Sequence, residues 1–188
     1  YGTDGQVLTS GGADAAVAWE DAGGGFEITE YDIWHLTADT TTEDNDPLDT
    51  NFSRFAPANS AFEYITAGSG MEKEAGGIFK FPSTGKWEVI AFASWNTGSN
   101  SGQSQVKLNY TYNGSNVSPT WMTLAAAQQQ GSSNMTMCAP VLIDVDDVEN
   151  DKVALQTVGD GTLVGVNPAN SVLALMTGMI FKKMGSTD

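Results

Sequence analysis

The chain has 188 residues, of which 23 are Asp or Glu and 8 are Lys or Arg, so its formal charge at pH 7 is −15. A surface this acidic repels nucleic acids and anionic lipid headgroups, which argues against both as partners. Cys138 is the only cysteine, which excludes an internal disulfide framework. No apolar run approaches the ~20 residues of a membrane span, so we expect no membrane insertion.

The first predicted element is a short β-prone run, Gln6–Ser10, after which a stretch of small residues leads to Trp19. A segment of this size has too few apolar side chains to bury them by itself. Gly23-Gly24-Gly25 is the clearest linker in the chain. We therefore divide the chain into a leader, residues 1–25, and a head domain, residues 26–188.

The leader sequence, Gly2-Thr3-Asp4-Gly5-Gln6-Val7-Leu8-Thr9-Ser10 followed by Trp19, resembles a module found in the distal parts of bacteriophage tail fibres. There it often stands just before a receptor-binding tip. The resemblance implies that residues 1–25 are a remnant of the fibre shaft and that the chain is located in the virion, at the tip of a tail fibre. An ordinary flexible leader is the alternative interpretation.

After the linker, alternating apolar and polar residues predict a series of strands separated by short polar turns. Asp39–Asn51 is predicted as an acidic loop, and Leu124–Gln130 has some propensity for a helical turn, so its state stays open. The predicted strands are Tyr31–Ala38, Ser60–Thr66, Gly77–Phe81, Lys86–Trp95, Gln105–Tyr112, Met135–Val145, Asp151–Val158 and Val172–Lys183. This succession predicts an all-β fold.

Three of these strands carry more specific information. Apolar and polar residues alternate strictly along Gln105–Tyr112, which predicts one buried and one solvent-exposed face. The Asn113-Gly114 pair after it predicts a tight hairpin. Lys86–Trp95 places Trp and small apolar residues on one face, with Ile90 and Phe92 on the other. Val172–Phe181 is apolar on both faces, which indicates either a subunit interface or a buried central strand.

The strands from Gly77 onward resemble the jelly-roll superfamily of complement globular heads and tumour necrosis factors. One match is Gly77–Val89, an aromatic strand, a Pro/Gly turn and a second aromatic strand; the other is Val148–Gln156 followed by the apolar run that ends at Phe181. Trp87 and Val89 depart from the commoner Tyr and Phe. The resemblance implies a jelly-roll β-sandwich that assembles as a homotrimer, binds ligands and is not an enzyme.

Two acidic clusters are dense enough in carboxylates to suggest calcium. One contains Asp144, Asp146 and Asp147, and the other is the loop Glu43–Asp49. Neither has the spacing of an EF-hand, so the alternative is a solvated acidic loop. We expect no other cofactor.

Polar loops beside aromatic residues are the candidates for receptor binding. Short amides and hydroxyls next to an aromatic ring suit saccharides, although they equally suit an ordinary exposed loop. The candidate residues are Trp95, Asn96, Asn100 and Gln103 in one loop, and Asn113 and Asn116 in another. His35, the only histidine, and Arg54, the only arginine, are expected to be structural, Arg54 through a bond to a carboxylate.

The sequence thus predicts the distal domain of a phage tail fibre, which recognises a host cell-surface receptor such as a polysaccharide. A trimeric capsid or head-fibre decoration protein of the same fold is one alternative, and a secreted complement-like lectin is another. A polysaccharide depolymerase is disfavoured because no pair of catalytic carboxylates can be argued.

Overall fold

The computed structural model describes residues 2–21, 28–42, 47–56, 67–96, 103–111, 121–130, 134–158, 161–163 and 177–187. Within these residues every regular element is a β-strand. The strands are β1 (Gln6–Thr9), β2 (Ala18–Asp21), β3 (Tyr31–Leu36), β4 (Thr40–Thr42), β5 (Phe52–Arg54), β6 (Glu72–Lys73), β7 (Ile78–Lys80), β8 (Gly85–Asn96), β9 (Gln103–Thr111), β10 (Trp121–Gln130), β11 (Asn134–Val145), β12 (Lys152–Val158), β13 (Gly161–Leu163) and β14 (Gly178–Gly185).

The strands form a two-stranded hairpin and two large antiparallel sheets. The hairpin is β1–β2, and the five-stranded sheet has the order β10-β9-β12-β7-β6. The seven-stranded sheet has the order β4-β13-β8-β14-β3-β5, with β11 along the other edge of β8. Because β11 pairs with the whole of β8, β13 and β14 share the remaining edge of β8, one beyond the other.

The two large sheets pack face to face around one apolar core. Alternate residues of β8 point into it: Trp87, Val89, Ala91, Ala93 and Trp95 are all at most 1% exposed. These five residues are the ones that the sequence pattern placed together on one face of the strand. The core also contains the inward residues of β9 and β12 and a group of aromatic side chains from β7 and β14.

The structure settles one local question that the sequence left open and corrects one local prediction. Leu124–Gln130 is part of strand β10, because pairing with β9 overrides its helical propensity. The predicted Asn113-Gly114 turn lies outside the described residues, between the end of β9 at Thr111 and the start of β10 at Trp121. Asp39–Asn51 is not wholly loop, because it contains strand β4.

The prediction that one face of β9 is exposed to solvent is also partly wrong. Asn109 and Thr111 lie on it, and both are 1% exposed. Asn109 is satisfied by polar neighbours, because its Nδ2 donates to Gln156 and its Oδ1 accepts the Thr123 hydroxyl at 2.9 Å. The predicted strand Ser60–Thr66 and the first part of Val172–Lys183 lie outside the described residues.

Candidate functional site

The strand order brings the start and the end of the head domain to one end of the sandwich. β3 begins at Tyr31, which pairs with Lys182 of β14. Strand β14 then continues to Gly185, which pairs with Lys86 of β8. The β11–β12 loop, residues 146–151, lies at the same end, because Val145 pairs with Gly85. We call this the leader-side end, since the leader joins the head here.

The opposite end, which we call the distal end, is where β8 ends at Asn96 and β9 begins at Gln103. β11 begins there, with Asn134 opposite Asn96, and β12 ends there, with Val158 opposite Gln105. The connections β8–β9, β10–β11 and β12–β13 therefore all join strands at the distal end.

The structure places three of the predicted receptor residues at the distal end. Trp95 and Asn96 close β8, and Gln103 opens β9. The side chain of Trp95 is fully buried in the core, so its assignment as a receptor contact is corrected: it offers no surface to a partner. Asn100 lies between the two strands, outside the described residues.

The other two predicted receptor residues belong to the opposite end. Asn113 and Asn116 lie outside the described residues, between β9 and β10, which pair at Thr111 and Trp121. At 3.3–3.4 Å per residue, β9 spans roughly 27 Å from the distal to the leader-side end. The two predicted receptor loops therefore adjoin opposite ends of β9.

The acidic loop at the leader-side end is organised by Asp151. Its Oδ2 accepts the backbone N–H groups of Asp146 and Asp147, each at 2.8 Å, and its Oδ1 accepts the Tyr110 hydroxyl at 2.7 Å. These three donors compensate for the burial of the Asp151 carboxylate. Burial, together with the hydrogen bond to Asp151, raises the pKa of Tyr110 well above its ordinary value.

The carboxylate of Asp147 closes the same loop. It accepts the Glu149 N–H at 2.9 Å and the Asn150 side-chain amide at 2.6 Å, and these bonds lower the pKa of Asp147. Asp144 and Asp146 are exposed. Among the described residues no three His, Cys, Asp or Glu side chains form a group that could hold a metal ion. Calcium binding by Asp144, Asp146 and Asp147 stays a prediction.

The second acidic cluster is described only in part. Asp49 Oδ1 accepts the Lys73 ammonium at 2.6 Å and the Gly77 N–H at 3.0 Å, and the bond to Lys73 is the main reason why the pKa of Asp49 is lowered. Residues 43–46 lie outside the described residues. Asp49 therefore serves to attach its loop to β6 and β7.

An open cleft of about 640 Å³ lies beside the edge strands β5 and β6. Its lining includes Trp34, Arg54, Lys73 and Lys80. Each cation already has a carboxylate partner: Arg54 pairs with Asp32, and the two lysines pair with carboxylates of neighbouring loops. The prediction that Arg54 is structural is confirmed, and the cleft has no excess of positive charge with which to select an anion.

The outward face of the seven-stranded sheet is more distinctive, because it is apolar across four strands. The register aligns Ile33 of β3, Ile180 of β14, Ile90 of β8 and Pro140 of β11 in one row. Ile33 is buried, Ile180 and Ile90 are half-buried, and Pro140 is exposed. The solvent exposure of the row thus increases from β3 toward β11.

Next to this row, Leu142 is 74% exposed, more than any other large apolar side chain that the structure describes. Cys138, which pairs with Phe92, is also exposed. We call these neighbours the outer strip, and it consists of Ile90, Phe92, Cys138, Pro140, Leu142 and Ile180. Contiguous apolar surface of this kind marks a contact site.

Sequence reasoning found Ile90 and Phe92 as residues turned away from the core but missed Pro140 and Leu142. The signal was present, because β11 is apolar on both faces: Val141 and Ile143 alternate with Pro140 and Leu142. In the part of the chain that the structure describes, no helix is long and apolar enough to cross a membrane.

The comparisons with solved structures identify the fold. The chain is similar to Eiger, a tumour necrosis factor from S. frugiperda, with a TM-score of 0.60 and 14% identity over 86% of this chain and 96% of that chain. It is similar to murine APRIL, with a TM-score of 0.54 and 12% identity over 82% and 99% of the two chains. The globular domain of zebrafish complement 1qA gives a TM-score of 0.46 and 13% identity over 81% of this chain and 94% of that chain, a similarity too low to bear on the fold.

No protein-family model matches the chain, and no curated protein matches it in sequence. The identities to the solved structures are low, so these similarities concern the fold alone. The chain has an all-β jelly roll of the tumour necrosis factor type, which confirms the predicted fold class.

Proposed function

We propose that this chain is the receptor-binding domain at the distal end of a bacteriophage tail fibre. In this proposal a homotrimer of jelly-roll heads recognises a host cell-surface receptor such as a polysaccharide. The observation that carries the proposal is the position of the leader: it joins the head at the end opposite Asn96 and Gln103. A head attached in this way exposes its distal end to whatever the fibre meets.

The outer strip supports the trimeric part of the proposal. The inner face of the seven-stranded sheet already fills the core, so an apolar outer face gains stability only if another surface covers it. A second and a third copy of the chain are the partners that the jelly-roll resemblance implies. Trimerisation also multiplies weak receptor contacts, because three sites on one particle bind with much higher avidity than one.

The trimer is tested with the purified chain and two variants. Light scattering after size exclusion should give about three times 19.8 kDa for the natural chain. Leu142→Lys should yield monomers, because it places a charge in the outer strip. Met122→Lys is the matched control: Met122 is also exposed, at 46%, but lies on the edge strand β10 of the other sheet. A natural chain that stays a folded monomer at micromolar concentration would remove the trimer from the proposal.

Receptor binding is tested by competition. The trimer should slow adsorption of intact phage to host cells, and replacement of residues 97–102 by a Gly-Ser sequence of equal length should abolish this effect. The same replacement of residues 112–120 is the control, because that connection lies at the leader-side end. If the natural trimer neither binds cells nor slows adsorption, the chain is a structural decoration protein and not a receptor-binding domain.

A further inference from the structure

The leader hairpin β1–β2 has one predominantly apolar face. Its register pairs Leu8 with Trp19, so these two side chains lie on the same side of the hairpin. Leu8 is 55% exposed and Trp19 46% exposed, and Val17, just before β2, is 62% exposed. The other face is mixed, because Val7 there pairs with Glu20.

The backbone of Gly2 holds the indole of Trp19 in position. A Cβ atom on Gly2 would lie 2.6 Å from Cε3 and 2.7 Å from Cδ2 of that ring. No side chain fits in this space, so the backbone rests directly against one side of the indole. The ring is therefore oriented before any partner arrives, which lowers the entropy cost of binding through it.

The hairpin cannot be stable through its own contacts. Each strand has only four residues, and an isolated two-stranded hairpin is marginally stable at best. Burial of Leu8 and Trp19 would contribute about 25 cal/mol for each Å² removed from water, but only a second surface can provide it.

We infer that the Leu8–Trp19 face of each leader packs against the same face of the other two leaders in the trimer. This inference rests on the proposed function, because it requires the trimer. Residues 22–30 join β2 to β3, and nine residues span at most ~32 Å. Each hairpin is therefore held within this distance of Tyr31, which begins a strand of the sheet that carries the outer strip.

Tethering favours other leaders over a free partner. Segments held by short linkers meet at effective concentrations on the order of millimolar, well above those of a dissolved protein. Electrostatics adds no attraction to the leader's own head: residues 2–21 contain four of the 23 acidic residues and none of the 8 basic ones. The contact is thus apolar and opposed by charge, so salt should strengthen it.

The test uses the full chain with a single engineered cysteine. The background is Cys138→Ala, which keeps the outer strip apolar and is first checked by light scattering for the mass of the trimer. In this background a short bismaleimide should join the Leu8→Cys side chains of different copies, and the linked product should still have the mass of the trimer. Val7→Cys is the matched control, because Val7 is 44% exposed in the same strand but faces the other way. The yield of linked chains should be severalfold higher for Leu8→Cys and should rise with added sodium chloride.

The outcomes separate the inference from the proposed function. A trimer in which Leu8→Cys and Val7→Cys are linked equally, or not at all, overturns the leader contact and leaves the trimeric head intact. The cysteine of Leu8→Cys could also resist a monofunctional maleimide without being linked to another copy. That result would mean that the leader packs on its own head, and it too overturns the inference. A monomeric chain overturns both.

Discussion

The guanidinium of Arg54 and the carboxylate of Asp32 form an ion pair, with Nε 3.1 Å from Oδ2. The same oxygen accepts the backbone N–H of Met71 at 2.8 Å and the indole N–H of Trp34 at 2.9 Å. Arg54 Nη2 also donates to the Met71 carbonyl at 2.6 Å, and the guanidinium lies 5.3 Å from the centre of the Trp34 ring. The pair thus connects β3 and β5 with the segment that enters β6.

Replacement of Arg54 by Met should destabilise the fold. The Asp32 side chain is only 3% exposed, and without Arg54 its charge has no counter-charge in this cluster. Loss of one partner of a fully buried pair costs about 3–5 kcal/mol; since the Arg54 side chain is 45% exposed, we expect about 2 kcal/mol. Urea denaturation measures the change. Arg54→Lys should fall between Met and the natural residue, because lysine keeps the charge but not the forked geometry.

Gly178 should not tolerate even one added carbon. Its Cβ would lie 2.2 Å from the carbonyl oxygen of Trp34 and 2.9 Å from the Cα of His35, and backbone atoms cannot move aside as a flexible side chain can. Gly178→Ala should therefore disrupt the pairing of β14 with β3 and lower the melting temperature markedly. Gly185→Ala, in the same strand with nothing within 4 Å, is the control and should melt like the natural chain. Equal melting of both variants would contradict the close approach.

The sequence predicted the fold well because its strongest signals are local. The alternation in β8 and β9 and the aromatic residues on either side of the β7–β8 turn depend on neighbouring residues only. It left Leu124–Gln130 of β10 open, because the helical propensity there is weak and cross-strand pairing decides. It failed for Asn109, whose burial depends on partners in two other strands.

The candidate site was less predictable, because it depends on which ends of the strands meet. From the sequence, the loops after Trp95 and Tyr112 looked equivalent, yet they adjoin opposite ends of β9. Trp95 itself looked like a binding residue because polar residues follow it, whereas it shares a face of β8 with Trp87 and Val89, and that face fills the core. The outer strip required the register, since Leu142 lies two residues along β11 from Pro140, which pairs with Ile90, and Ile90 in turn pairs with Ile180.

His35 should make the fold sensitive to mild acid. It is 7% exposed, packs against Phe55, and burial lowers its pKa below the usual 6.5. Above pH 6.5 the imidazole ring is neutral in both the folded and the unfolded chain, so the contribution of His35 to the free energy of unfolding is fully present. As the pH falls below 6.5, the unfolded chain takes up a proton that the folded chain resists, so the free energy of unfolding decreases.

The comparison of pH 7.5 with pH 5.5 by urea denaturation tests this dependence. His35→Gln retains a side-chain amide near the Leu36 carbonyl but does not titrate, so its loss of stability over this range should be smaller than that of the natural chain. The carboxylates of Asp49 and Asp147 have lowered pKa values and titrate below this window. Identical pH profiles for both proteins would show that His35 is not the group responsible.

Cys138 should report directly on the surface that the trimer covers. It is exposed in the single chain, lies in the outer strip opposite Phe92, and is the only cysteine, so a thiol reagent modifies one site. In the trimer its reaction should be much slower than in the monomeric Leu142→Lys variant, because neighbouring copies exclude the reagent. The rate is measured by mass spectrometry at a concentration where light scattering confirms the assembly. The Met122→Lys variant should remain trimeric and should be protected as strongly as the natural chain. Equal rates in trimer and monomer would mean that the copies associate through another surface, and the outer strip would then need a different partner.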